Sequence, residues 1–193
     1  MVYTAEYDPL CYLGTPVLRN KLDLTDQNEL DEFETAMFVL RSDEPWPEGD
    51  LDLTHYLALH RHLFQDVYDW AGEIRAIRIG KGGNWFCYPE FIANELSRIF
   101  HELAQANYFQ GLTQADFAVQ AAHLLAEINA IHPFREGNGR TQLTFLALLA
   151  ERAGLPFNAE VLDRERVIDA MIESFAGSEQ PLARLILDLI SEP

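Results

Sequence analysis

The chain has 193 residues, 48% of them hydrophobic, which is enough to bury a core and falls within the usual size of one domain. Its 31 acidic and 14 basic residues leave a formal charge of -17. That balance argues against a nucleic-acid partner, which would need Lys/Arg surfaces to displace counterions, and it requires any phosphate site to be local. The two cysteines, Cys11 and Cys87, stand far apart in no paired or metal-like spacing. No disulfide framework is expected, and a reducing compartment is the simpler reading. No stretch approaches the ~18 apolar residues of a bilayer span, and Met1 to Glu6 carry no basic region followed by an apolar run. The expectation is a soluble, unprocessed, cytoplasmic protein with no membrane contact.

Residues 1–24, with Pro9, Gly14 and Pro16 and no sustained periodicity, read as an arm laid over the core, and 25–193 as a single folded domain. Thr25 as N-cap, followed by Leu30, Phe33, Met37 and Leu40 at helical spacing, predicts a first amphipathic helix. Pro45 and Pro47 end it in a loop. A second helix is predicted from about Leu53 to Trp70, with Gly72 as its stop. The period then changes. Ile74, Ala76/Ile77 and Ile79 alternate with Arg75 and Arg78, the run 80–84 turns, and Trp85 to Tyr88 returns, which predicts one short β-hairpin. An isolated two-stranded hairpin is marginal in water, so this one must rest on helices or be completed by an added strand. Pro89 opens a third helix, Thr113 caps a fourth running to Ile131, and a fifth spans about Arg140 to Ala153 before Gly154 and Pro156. Val161, Val167, Ile168, Met171, Ile172 and Phe175 predict a sixth helix, and Leu182, Leu185, Ile186, Leu189 and Ile190 a seventh. The class is therefore all-α with one hairpin.

Between the fourth and fifth helices, His132-Pro133-Phe134-Arg135-Glu136-Gly137-Asn138-Gly139-Arg140 has a composition that packing does not explain. Gly137 and Gly139 open the backbone just before a helix begins, presenting free N–H groups at a helix N-terminus, the arrangement that binds phosphate. Arg140 adds its charge to the positive end of the helix dipole, a conflict that a bound anion would resolve. Glu136 is a hard oxygen ligand suited to Mg²⁺, Asn138 can donate to a phosphate oxygen, and His132 can accept a proton from a hydroxyl. Read as an exposed loop side chain, His132 should be replaceable by Ala with loss of activity and little effect on the fold. His55, His60 and His62 project to different faces of one helix with no carboxylate at metal-binding spacing, so no zinc site is expected there. Trp46, Trp70 and Trp85 read as packing residues, with Trp85 also able to touch a target from the hairpin.

The nine-residue string resembles the signature of the Fic family, H-P-F-x-[DE]-G-N-G-R followed two residues later by a second arginine. The hairpin ahead of the motif helix resembles the family's flap, Leu18-Arg19-Asn20-Lys21-Leu22 is similar to bacterial members, and the resemblance covers about Val17 to Ile190. It implies a Fic-type bundle of about seven helices. It also implies protein adenylylation, the transfer of AMP from ATP to a Tyr, Ser or Thr hydroxyl of a target protein with release of pyrophosphate. In that reading His132 is the general base and Glu136 holds Mg²⁺. Gly137, Asn138, Gly139 and Arg140 cradle the phosphates, Lys81 and Gly82 lie near the nucleotide, and the flap registers the target by strand addition.

The second arginine is replaced by Leu143. The sequence therefore admits a different phosphate geometry or nucleotide, a compensating cation such as Arg135 or Lys81, a weak or inactive enzyme, transfer of another phosphate-containing group, or a non-catalytic binding module. No match to the family's inhibitory pattern [ST]-x-x-x-E-[GN] occurs at either end, which implies a toxin restrained by a separate small antitoxin protein.

Overall fold

A computed structural model describes residues 8–191. Its seven α-helices are α1 (Gln27–Ser42), α2 (Leu53–Phe64), α3 (Pro89–Gln105), α4 (Gln114–Ile131), α5 (Asn138–Arg152), α6 (Arg164–Phe175) and α7 (Gln180–Ile190), with 3-10 turns at Asn107–Phe109 and Ala159–Val161. The hairpin consists of β1 (Gly80–Lys81) and β2 (Asn84–Trp85), antiparallel, with Gly80 opposite Trp85 and Lys81 opposite Asn84. The all-α class with one flap thus stands as the sequence predicts. No described helix is long and apolar enough to cross a membrane.

α4 is the hub. Phe117, Ala121, Leu124, Leu125, Ile128 and Ile131 are buried on several sides of it, because α3, α5, α6 and α7 all pack around it. Thr113 caps it, accepting from the Asp116 N–H at 3.1 Å. A second cluster joins Val17 and Leu18 of the arm, Leu30 of α1, Leu63 and Phe64 at the end of α2, and Val67 and Tyr68 just after it. The arm is fastened by Asn20, whose side chain bonds the backbone of Leu18, Leu22 and Leu24, and by the Lys21 N–H to the Val67 carbonyl at 2.9 Å.

Several boundaries differ from the sequence reading for identifiable reasons. α1 is capped by Asp26 rather than Thr25, and Leu40 is exposed because the inward stripe runs through Leu30, Glu34 and Met37. α2 ends at Phe64, six residues early, where the Val67 N–H bonds the Phe64 carbonyl at 3.0 Å and tightens the chain into turns. The strands are two residues long, because the backbone of Arg75 donates to Pro133 at 2.9 Å instead of to a partner strand. In α6, Val167, Ala170 and Ser174 face inward, while Ile168 and Ile172 are exposed and Val161 lies in the preceding 3-10 turn.

Candidate active site

α4 stops at His132, which takes a left-handed conformation (φ 52°, ψ 66°) while its N–H still bonds the Ile128 carbonyl. A non-glycine residue held there is strained and requires surrounding support. The support comes from the flap. The Phe86 ring lies parallel to the imidazole, 3.9 Å between centroids and 10° between planes. His132 is consequently 7% exposed, against the expectation of an exposed loop side chain. A carbonyl only accepts, so the 3.3 Å contact between Nδ1 and the Asn129 oxygen places the proton on Nδ1 and the lone pair on Nε2. Burial, aided by the charges of Lys81 and Arg75 and opposed by the Asn129 bond, lowers the pKa to about 3. The ring is therefore a neutral base at physiological pH.

Beyond His132 the loop is locked by its own and distant residues. Asn138 accepts the Phe134 N–H at 2.9 Å and donates to the Phe134 carbonyl at 2.8 Å, so its buried side chain closes the turn, a different role from the phosphate donor the sequence suggested. Phe134 is stacked on His60 at 3.7 Å. His60 accepts the Gly72 N–H at Nδ1 (2.8 Å), which leaves Nε2–H to donate to the Glu136 carbonyl at 3.0 Å. Burial pushes the His60 pKa down to about 3, so this neutral tautomer persists. Arg135, 5% exposed, is bound by Asp8 of the arm at 2.6 Å, and the Glu136 charge also acts on it. From below, the buried Arg75 guanidinium donates to the carbonyls of Ile131 and His132 on one side and of Ile77 and Cys87 on the other, at 2.6 to 3.0 Å. One side chain thereby joins the flap to the loop 132–140.

The N-terminus of α5, where the sequence places an anion cradle, begins at Gly137, the N-cap, where φ is 80° and a Cβ would lie 2.4 Å from the Phe64 ring. The first intrahelical bond is Thr141 N–H to the Gly137 carbonyl, so the N–H groups of Asn138, Gly139 and Arg140 have no helical acceptor. At Gly139 a Cβ would meet nothing within 4 Å. The fold does not require that glycine, whereas close approach of a ligand would. Glu136 turns its carboxylate to the Gly137 N–H at 3.0 Å, and burial, reinforced by Glu34, raises its pKa above the usual carboxylate range. Arg140 spans the gap, pairing with Glu34 of α1, lying 3.9 Å from Glu136, and resting over the Phe64 ring at 4.7 Å. Lys81 on β1 is near enough for its charge to act on both His132 and Glu136, and Gly82 occupies the flap turn with φ 59°. Leu143 is partly buried against the main core.

The model of the Fic/DOC family matches residues 50–150, which include the flap, the loop and most of α5. The chain belongs to the Fic/DOC family. A relative named "Probable protein adenylyltransferase y4lH" from Sinorhizobium fredii is 57% identical over 189 residues, covering 97% of this chain and 98% of that one. VbhT of Bartonella schoenbuchensis, named a protein adenylyltransferase, is 35% identical across 98% of this chain, which spans 40% of VbhT. Among solved structures, BepC of Bartonella tribocorum with bound AMPPNP superposes at a TM-score of 0.84 with 27% identity, covering 95% of this chain and 97% of that one.

Sequence reasoning found every residue of the Fic loop but missed the residues that hold it. Arg75 read as a strand residue and His60 as one of three scattered histidines. Glu34 did carry a signal: it falls four residues after Leu30 and three before Met37, a carboxylate on an apolar stripe.

Proposed function

We propose that this Fic-family chain is a protein adenylyltransferase that moves AMP from ATP to a hydroxyl side chain of a target protein. The observation that carries the reading is the pairing of a neutral imidazole, its lone pair on Nε2, with a glycine-opened helix N-terminus bearing Arg140, within one loop. The names of the relatives and the AMPPNP bound to BepC support ATP as the substrate. In the reaction the target oxygen forms a bond to the α-phosphorus, the bond from that phosphorus to the pyrophosphate oxygen breaks, and the hydroxyl proton passes to His132 Nε2. The N–H groups at the start of α5 and the Arg140 guanidinium would hold phosphate charge without reorganising during the reaction.

Glu136 fits a Mg²⁺ ligand. Its carboxylate faces the cradle and is made less acidic by burial and by Glu34, so a cation beside it would relieve both effects. Mg²⁺ bound there would neutralise phosphate charge. Lys81 and Gly82 would face the nucleotide from the flap, and the exposed Trp85 would meet the target as its chain pairs with β2. Restraint by a small protein partner remains part of the proposal, as does a cytoplasmic site of action. Leu143, packed on the core where the family carries its second arginine, favours a nucleotide pose that depends on Arg140 and Lys81 for charge. It also keeps open transfer of a different phosphate-containing group.

ATP labelled on the α or the γ phosphate separates these readings. Incorporation of α-label into protein, lost in His132→Ala, is the expected result. Incorporation of γ-label instead would replace AMP transfer with phosphate transfer, and no incorporation of either with target present would reduce the chain to a binding module.

A further inference from the structure

An arginine in the first turn of a helix is repelled by the dipole's positive end, so the placement of Arg140 needs a cause within the protein. Glu34 supplies it. From α1, 106 residues earlier in the chain, its Oε1 accepts from Arg140 Nη2. Its other oxygen, Oε2, accepts from Tyr68 Oη at 2.5 Å. Tyr68 is fully inside the smaller core and stacks on Trp70 with 4.4 Å between ring centroids, so the hydroxyl has a fixed direction. Burial and the Glu34 charge keep the phenol protonated and hence a donor. Two segments that the Fic loop does not include, α1 and the turns after α2, thus act on one guanidinium, Glu34 directly and Tyr68 through Glu34.

We propose that Glu34, held by Tyr68, is a positioning residue for the nucleotide: it fixes the Arg140 guanidinium at the mouth of the cradle, with donors left over for phosphate. The inference rests on the adenylyltransferase reading of the same loop. Glu34 engages only Nη2, while a guanidinium has five N–H donors in a planar fork. Phosphate can therefore bind the rest of the fork without breaking the pair. Displacing Glu34 would strand a carboxylate that is 9% exposed, a costly state that argues against the pair acting as a lock opened by nucleotide.

The test uses the full chain with AMPPNP and Mg²⁺ in calorimetry, which needs no target protein. Glu34→Gln is expected to weaken AMPPNP binding about tenfold, and Tyr68→Phe, which keeps the ring and removes one donor, about threefold. Melting temperatures of the variants should stay within a few degrees of the parent chain. The decisive comparison is Glu34→Gln in an Arg140→Gln background. A positioning role acting through Arg140 predicts no further loss there, whereas a merely structural role predicts the same loss in both backgrounds. Equal or tighter binding by Glu34→Gln, or additivity in the double variant, overturns the inference while leaving the transferase reading in place. Failure of the parent chain to bind AMPPNP overturns both.

Discussion

At Gly137 a methyl group would land 2.4 Å from the Phe64 ring on a backbone with φ of 80°, while at Gly139 it would meet open space. Gly137→Ala is therefore expected to disrupt the loop and lower the melting temperature. Gly139→Ala should do the opposite to the fold, gaining up to about 1 kcal/mol from helix propensity, yet it should weaken AMPPNP binding by filling the space a phosphate needs. Calorimetry and thermal unfolding on the same two variants check both statements. A Gly139→Ala chain that binds AMPPNP as well as its parent would remove the cradle from that position. His132 provides the pH prediction. With a folded pKa near 3 against about 6.5 for a free imidazole, its ring should show no NMR titration step between pH 5 and 8. The sign for stability follows: the unfolded chain binds the extra proton, so the contribution of His132 is whole above about pH 6.5 and is lost as pH falls towards 3. His60 adds a loss in the same direction, whereas the raised Glu136 pKa contributes with the opposite sign. A midpoint near 6.5 in the His132 resonances would contradict the buried, stacked placement.

At the scale of elements, Arg75 makes the flap and the loop mutually dependent. Arg75→Lys keeps the charge, but one ammonium cannot span four carbonyls aimed from two segments. The expected cost is about 2 kcal/mol, read as a fall of roughly 4–8 °C in melting temperature, together with loss of α-label transfer. An unchanged melting point would refute the clasp. Arg75 also marks where the sequence stops being readable. The helices were legible because apolar spacing and caps such as Thr113 are local signals, and the Fic loop was legible because its residues are contiguous. The alternation around Arg75 was real, but its outcome was decided by the distant carbonyls of Ile131 and His132. The same holds for α2, whose apolar series continues through Val67 and Trp70 although its chain turns after Phe64. The burial of His132 depends on Phe86, and the restraint of Arg140 on Glu34 and Tyr68, pairings that no local pattern announces.

Over the whole molecule, the charge of -17 surrounds a site where Arg140 and Lys81 stand beside the carboxylates of Glu34 and Glu136. Long-range repulsion of an anionic nucleotide is screened by salt while the close contacts are much less so. The association rate of Mg²⁺–AMPPNP in stopped flow is therefore expected to rise between about 10 and 150 mM salt, and a fall would mean that the local field dominates at long range. The bond between Asp8 and Arg135 joins residues 127 positions apart in a chain of 193. On a ribosome adding about 5–20 residues per second, Asp8 would wait roughly 6–25 s for its partner to be made. Asp8 is thus translated long before its partner, and the nascent chain cannot tie it to the loop until Arg135 has been synthesised.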